Sequence, residues 1–386
     1  MKVAWIEVLR YELPLVRPLV LPRHTLHQRE GLLLVLATGH GEFGYGDIAP
    51  LPGFSQETLA LAEHQLFDFI EVLKGQSVQV DPIDLLGGAS GWHAVAPSVR
   101  AGVSMALTGL QARVARQPQA TQLNARARHT AQVNALLTGD SAAGVEQARQ
   151  AAAAGVRCVK VKVGRAAREE ELEALHSLRL ILGEQVQFRL DANRAWTLDE
   201  AVVFGQGLGD LPLDYIEEPL RRPEELPEWH LATGLPFALD ETAAPVLSRY
   251  YDITHERLDP ARYSAGGHVD RKTFEALLRL ARAVVVKPTL AGEYARLPHL
   301  ARHLPGYDGD VVVSSAFESD VGVAALAHLA AAVNDRDVAA GLDTLAWLED
   351  RLLTTLPQHG PELDLAALDA ALARIDTTAL PVVARA

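Results

Sequence analysis

From residue 133 onward the chain repeats one phrase. Short β-type runs alternate with Ala/Leu-rich runs of helical spacing. The β-type runs are "QVNALLT", "CVKVKVG", "VQFRLDAN", "DYIEEPL", "PFALDET", "AVVVKPT", "DVVVSSAFES" and "DVAAGLDT". Between most of them lie helical patterns such as "SAAGVEQARQAAAAG" and "TLDEAVVFGQGL". Strand followed by helix, over and over, requires a parallel sheet, because each helix carries the chain back to start the next strand. Eight such units over residues 133–345 close more naturally as a β/α barrel than as an open sheet. "TLDE" at 197–200 has capping-box spacing, which predicts a helix starting just after "DANRAW".

The preceding region has a different grammar. "KVAWIEVLRYEL", "GLLLVLAT" and "GEFGYGDI" read as three strands of an antiparallel meander. The loop "APLPGFSQET" follows, with Ser55 placed to cap the next helix and Glu57 near its positive end. Two helical patterns, "ETLALAEHQLFDFIEVL" and "PSVRAGVSMALTGLQARVA", complete an α+β capping domain over 1–116. "QPQATQLNARARHTAQ", 117–132, is polar and weakly patterned and reads as a linker. The barrel is assigned to 133–345, and 346–386 to a C-terminal segment. About forty residues between "PFALDET" and "AVVVKPT" read as an insertion on a loop, including "RYYDITHERLDPARYSAGGHVD".

The formal net charge of −13 argues against a nucleic-acid or anionic-membrane surface, whose footprint is basic. A local lysine cluster still leaves room for a small anionic substrate. One cysteine, Cys158, excludes an internal disulfide and a cysteine-built zinc site. No signal-peptide pattern and no 18-residue apolar run occur, so a cytoplasmic location is expected. The oligomeric state is not legible.

Charged residues recur at the C-terminal ends of successive strands. Lys160 and Lys162 come first, sharing one strand face roughly 6.6 Å apart. Asp191, Glu217, Asp240 and Lys287 follow. The gaps from Lys162 are 29, 26, 23 and 47, one strand–helix repeat each except across the insertion. Strand ends of a β/α barrel converge on one rim, where active sites sit. Taken singly, a KVK strand face is solvated, a strand-end Asp caps a turn, and a lysine before proline snorkels. None of those readings explains six charges in one register. Three carboxylates form a hard oxygen site suited to Mg²⁺. Flanking lysines can act as bases where burial or a neighbouring cation lowers their pKa.

The motifs "KVKVG", "RLDANRAW", "EEP", "LDET", "VKPTL", "SSAFES" and "GLDT", in this order, resemble the enolase superfamily. With "PLPGFSQET" in the capping domain, they resemble its o-succinylbenzoate synthase branch, from about Gly41 to Leu345. The resemblance implies an α/β fold, a modified (β/α)7β TIM-type barrel under an N-terminal α+β cap, with the C-terminal segment returning toward that cap. It implies a Mg²⁺-dependent lyase of menaquinone biosynthesis acting on a small-molecule carboxylate. Asp191, Glu217 and Asp240 would bind the metal. Lys162 would take the proton α to the carboxylate and return it to the departing hydroxyl. Lys287 would stabilise the enediolate from the opposite face, and Lys160 would hold the carboxylate and keep the pKa of Lys162 low. Ser314, Gly341, Arg189 and Ser55 would contact the substrate, and the loop 51–58 would close over it. Asp47 stands in "GDIAP" where the branch leads one to expect Glu. Two alternatives stand beside the lyase: an N-acylamino-acid racemase or dipeptide epimerase of the same superfamily, and a non-catalytic barrel.

Overall fold

The computed structural model describes all residues of the chain except 22–23, 87, 138–141, 245–268, 305 and 354–359. Of the insertion expected before Lys287, residues 245–268 lie outside the described residues, and its last part forms the helix Arg271–Leu278. Seven strands form one parallel sheet in sequence order: β5 (Ala135–Leu137), β6 (Cys158–Lys162), β7 (Gln187–Asp191), β8 (Leu213–Glu217), β9 (Phe237–Leu239), β10 (Ala283–Val286) and β11 (Asp310–Val313). The run "DVAAGLDT" closes the ring. Ala340 bridges Val133 beside β5, and Gly341 bridges Ser314 just beyond β11. Four backbone bonds make the seam: Asn134 N–H to Ala340 O (3.0 Å), Ala340 N–H to Gln132 O (2.8 Å), Gly341 N–H to Val313 O and Ser315 N–H to Gly341 O (both 2.9 Å).

Parity along these strands explains both the core and the site. Val159, Val161, Phe188, Leu190, Phe237 and Leu239 belong to the large cluster between the sheet and its helices. The alternate positions Tyr215, Ala238, Val285 and Val312 form a separate small cluster inside the barrel. Lys160, Lys162, Arg189, Asp191, Glu217, Asp240, Lys287 and Ser314 all share the inward parity. The two clusters are thus two sides of one pleated sheet, and the charges stand at its inner rim.

The cap is an antiparallel sheet built on β1 (Val3–Leu21), β2 (His24–Thr38) and β3 (Phe43–Ile48). Helices Leu59–Leu73 and Pro97–Ala115 cover one face, burying Ile6, Leu34, Leu66, Phe69 and Val103. The second helix lies close against β3. A Cβ at Gly44 or Gly46 would come within 2.1 Å of Ala106 O or 1.9 Å of Gly102 O, so only glycine permits the contact. A further strand, β13 (Val382–Arg385), pairs with β1. No helix among the described residues is long and apolar enough to cross a membrane.

Two local expectations change. The first-helix N-cap is Thr58, whose hydroxyl accepts from Leu61 N–H; the Ser55 hydroxyl instead accepts from Leu51 N–H at 2.8 Å and folds the loop on itself. Glu57 caps the other helix, accepting from Ser98 N–H at 2.9 Å. The segment 117–132 contains a helix, Gln119–Leu123, and β4 (Thr130–Gln132), which pairs with β12 (Glu362–Asp364). Its polarity has a structural reason. Asn124 and Arg128 donate to Ala332 O, Ala330 O and Asn334 O at the end of the helix Asp320–Val333, where carbonyls lack helical partners.

Candidate active site

β6 and β7 pair in register so that Lys160 lies beside Arg189 and Lys162 beside Asp191; β7 and β8 place Asp191 beside Glu217. Lys160 Nζ donates to Glu217 Oε1 (2.8 Å) and Oε2 (2.7 Å), and lies 2.9 Å from Asp191 Oδ2. Lys162 Nζ donates to Asp191 Oδ2 and to Asn193 Oδ1, both at 2.6 Å. Lys287, across the barrel, pairs with Asp240. All six charged positions thus form one rim. Exposure separates the lysines: side-chain values are 33% for Lys162, 20% for Lys287 and 14% for Lys160. Lys162 is the most open toward a ligand, and Lys160 lies beneath it.

Burial pulls the Lys160 ammonium down, but Asp191 and Glu217 outweigh that and hold it well above the ordinary lysine value. Lys287 is likewise raised, because Asp240 and Glu217 overcome desolvation. Burial pushes the Asp191 carboxyl up, yet Lys160 and Lys162 hold it far below the usual carboxylate range. Glu217 stands between Asp191 and Asp240. Burial first, then Asp191, push it up to about 8 despite Lys160. Glu241, next to Asp240, is pushed up to about 7 by burial and by Asp240.

Four acids share this rim with three ammonium groups. A buried excess of carboxylate favours a cation, and an all-oxygen donor set from adjacent strands suits a hard divalent ion. Among the described residues no three His, Cys, Asp or Glu side chains are grouped as a metal cage; Asp191, Glu217 and Asp240 each close on an ammonium, and Glu241 accepts from Asn193. The donor chemistry of Asp191, Glu217 and Asp240 nonetheless fits Mg²⁺, with the lysines as the groups that would yield.

The remaining sequence-derived positions fall in different places. Ser314 and Gly341 meet across the closing seam, with Ser314 Oγ 3.3 Å from Gly341 O. Arg189 is buried below the rim. It donates to Asp214 Oδ2 (2.9 Å) and Ala339 O (2.5 Å) and stacks near the Tyr215 ring, so its guanidinium supports the barrel from beneath. Ser55 uses its hydroxyl within its own loop.

Three residues escaped sequence reasoning. Asn193 joins Lys162 to Glu241, donating to Glu241 Oε1 at 3.0 Å. Glu218 accepts from Asp240 N–H (2.8 Å), Thr242 N–H (2.7 Å), Thr242 Oγ1 (2.8 Å) and Arg194 Nε (2.9 Å), tying the ends of β8 and β9 together. Glu241 is the third. The only signal was doubling: "EEP" and "DET" each hold a second acid or partner beside the first.

The MenC N-terminal domain family matches residues 3–110, and the enolase C-terminal domain-like family matches residues 143–248. An o-succinylbenzoate synthase of Aliivibrio salmonicida is 31% identical over 369 residues, covering 94% of this chain and 96% of that protein. One from Vibrio cholerae is 30% identical over 354 residues, 90% and 91% respectively. Protein PHYLLO of Arabidopsis thaliana, chloroplastic, is 30% identical over 364 residues; these are 85% of this chain but 20% of that much longer protein. Similar solved structures include a dipeptide epimerase from Enterococcus faecalis complexed with Mg and L-Leu-L-Tyr (TM-score 0.75, 21% identity, 95% and 97% of the two chains). An N-succinyl Arg/Lys racemase from Bacillus cereus also superposes (TM-score 0.75, 19% identity, 100% and 99%). At such identities these structures establish the fold alone.

Proposed function

The chain belongs to the o-succinylbenzoate synthase family of the enolase superfamily, and from that membership we propose that it dehydrates 2-succinyl-6-hydroxy-2,4-cyclohexadiene-1-carboxylate to 2-succinylbenzoate. The observation that carries the reading is the match to o-succinylbenzoate synthases over most of the chain, and its chemistry rests on the two-sided rim. Lys162 and Lys287 each stand against one strand-end carboxylate, with Glu217 between them.

Asp191, Glu217 and Asp240 would hold Mg²⁺, which when bound supplies stabilisation of negative charge on the substrate carboxylate. Lys162 takes the proton from the carbon bearing that carboxylate. The C–H electrons form the new ring double bond as the C–O bond breaks. Lys162 then delivers its proton to the departing hydroxyl, which leaves as water, and the ring becomes aromatic. Using one group for both transfers requires them on the same face. Lys287 stays charged on the opposite side and offsets the developing charge. Lys160 holds the carboxylate end. Ser314 and Gly341 line the succinyl end, and the loop 51–58 excludes water.

The second reading, racemisation or epimerisation, is favoured by the same pair of lysines, since it needs a base on each face. The relatives by sequence argue for the lyase. Purified protein supplied with the cyclohexadiene carboxylate and Mg²⁺ is expected to release 2-succinylbenzoate, and a chelator is expected to stop turnover until Mg²⁺ is restored. Turnover of N-acyl amino acids or dipeptides alone would overturn the lyase assignment; full rates in excess chelator would overturn the metal assignment.

A further inference from the structure

Buried cations also lie outside the rim. Arg29, on β2, is 2% exposed. Its Nε donates to Phe317 O (2.9 Å), its Nη2 to Ala49 O (2.9 Å) and its Nη1 to Pro50 O (3.4 Å). Ala49 and Pro50 lead directly into the loop 51–58 of the cap. Phe317 belongs to the barrel loop that follows β11 and Ser314, where it holds a left-handed φ of 61° that a bulky residue rarely adopts. One guanidinium therefore joins the cap loop to the barrel loop on which the succinyl end would rest.

The surroundings extend the connection. Glu318, beside Phe317, accepts from Thr289 Oγ1, Ser315 Oγ and Ala316 N–H, each at 2.6 Å. Thr289 is two residues beyond Lys287. Asp47, on β3, accepts from Tyr11 Oη (2.6 Å) and from Ser319 N–H (2.8 Å) and Oγ (2.7 Å). Arg29, Asp47 and Glu318 all act electrostatically on the Tyr11 hydroxyl, so these buried charges form one network spanning both domains. Burying a guanidinium on three carbonyls costs desolvation that ordinary packing would avoid. The three hydrogen bonds to carbonyls offset that cost.

We propose that Arg29 is a positioning residue for this enzyme: through the carbonyls of Ala49, Pro50 and Phe317 it pre-sets the cap loop 51–58 against the barrel loop 314–319, so that substrate meets an ordered wall. The inference deepens the dehydratase reading and rests on it for its kinetic arm. Pre-ordered loops lower the ordering cost of binding without touching the chemical step.

The test compares Arg29→Met and Arg29→Lys with wild type and with Arg296→Ala. The last removes the Arg296–Asp81 ion pair, which joins the same two domains without touching either loop. Steady-state kinetics with the cyclohexadiene carboxylate and backbone hydrogen exchange of residues 51–58 are read well below the melting temperature. Arg29→Met is expected to raise KM about tenfold with kcat within about threefold of wild type, the signature of lost uniform binding. It is also expected to speed exchange across 51–58. Arg29→Lys, which keeps the charge but loses the fork, is expected to fall between, and serves alone if the methionine variant does not fold. Arg296→Ala is expected to leave KM and exchange unchanged. Unchanged KM in the Arg29 variants, a loss confined to kcat, or an equal KM rise in Arg296→Ala would overturn the proposal. If wild type itself fails to turn over this substrate, the dehydratase reading fails; the exchange arm still decides whether Arg29 orders the loop.

Discussion

Lys160 and Lys162 differ by one strand repeat and by what their ends can reach. Alternation in the sequence showed that they share a face, but not which one meets a ligand. Depth decides it: Lys160 is gripped by both Glu217 oxygens, whereas Lys162 keeps a third of its surface (33%). Lys162→Ala is therefore expected to lower kcat by the ~10²–10⁴-fold typical of a positioned acid–base group, with the melting temperature nearly unchanged. Asp47 tests a residue whose role is structural. It stands where the branch leads one to expect Glu, and burial pushes its carboxyl up to about 6 even though Tyr11 and Ser319 donate to it. The folded state thus binds this proton more tightly than the unfolded chain. The group's contribution is fully present below the ordinary carboxylate range and is lost as pH rises through about 6. The Tyr11 hydroxyl favours the ionised form, so Tyr11→Phe lifts the folded pKa further. Its destabilisation is expected to be larger at pH 8, about 1.5–3 kcal/mol as for bonds to charged groups, than at pH 5. Urea unfolding of both proteins at the two pH values checks this; an equal loss at both would show that the bond does not favour the charged form.

The strand and helix elements were legible because their periodicities are strong, and the strand-end charges because one repeat spaces them. What joins neighbouring strand ends was not, since such contacts leave no period. Glu218 was visible only as the second letter of "EEP", yet it adopts a φ of 43° and holds Asp240 N–H, Thr242 and Arg194. Asn193 and Arg194 also lie in the left-handed region, at φ 43° and 60°. Backbone strain gathered at one rim is a common mark of a working site. The contacts of segment 117–132 were hidden for a related reason: its polar residues serve the carbonyls of a helix two hundred residues away. Two substitutions separate element ends that stabilise from those that position chemistry. Thr197 forms a capping box with Glu200 at an exposed helix start, so Thr197→Ala is expected to cost about 1 kcal/mol with kcat/KM unchanged. Glu218→Gln places an amide where Arg194 and two N–H groups need carboxylate oxygens. It is expected to cost on the order of 3 kcal/mol and to lower kcat/KM at least about tenfold as Asp240 shifts. Thermal melts and kinetics on the same preparations check both; activity loss in the Thr197 variant, or its absence in the Glu218 variant, would contradict this division of labour.

Across the whole molecule, the cap and the barrel are not laid out as two consecutive beads. β13 returns from beyond the barrel to pair with β1, through Ile6 N–H to Ala386 O (3.0 Å), Ala386 N–H to Ile6 O (2.9 Å) and Arg10 N–H to Pro381 O (2.9 Å), with Arg385 on Glu7. Sequence pattern pointed the C-terminal segment toward the cap only through resemblance, because four residues of β13 carry too little periodicity to name a partner. The arrangement means that β1, which carries Tyr11 and so touches the buried network at Asp47, has its outer edge covered by the far end of the chain. A chain ended after Leu380 would leave that edge of β1 with unpaired backbone groups, exposed to water and to other copies. The barrel would keep every rim residue. Truncation is therefore expected to lower the melting temperature, to promote aggregation that grows with protein concentration, and to raise KM more than it lowers kcat, since loop 51–58 rides on the weakened cap while Lys162 and Lys287 do not. Calorimetry, light scattering and steady-state kinetics on the truncated protein decide it. A fall in kcat with KM unchanged would mean that β13 supports the barrel instead of the cap.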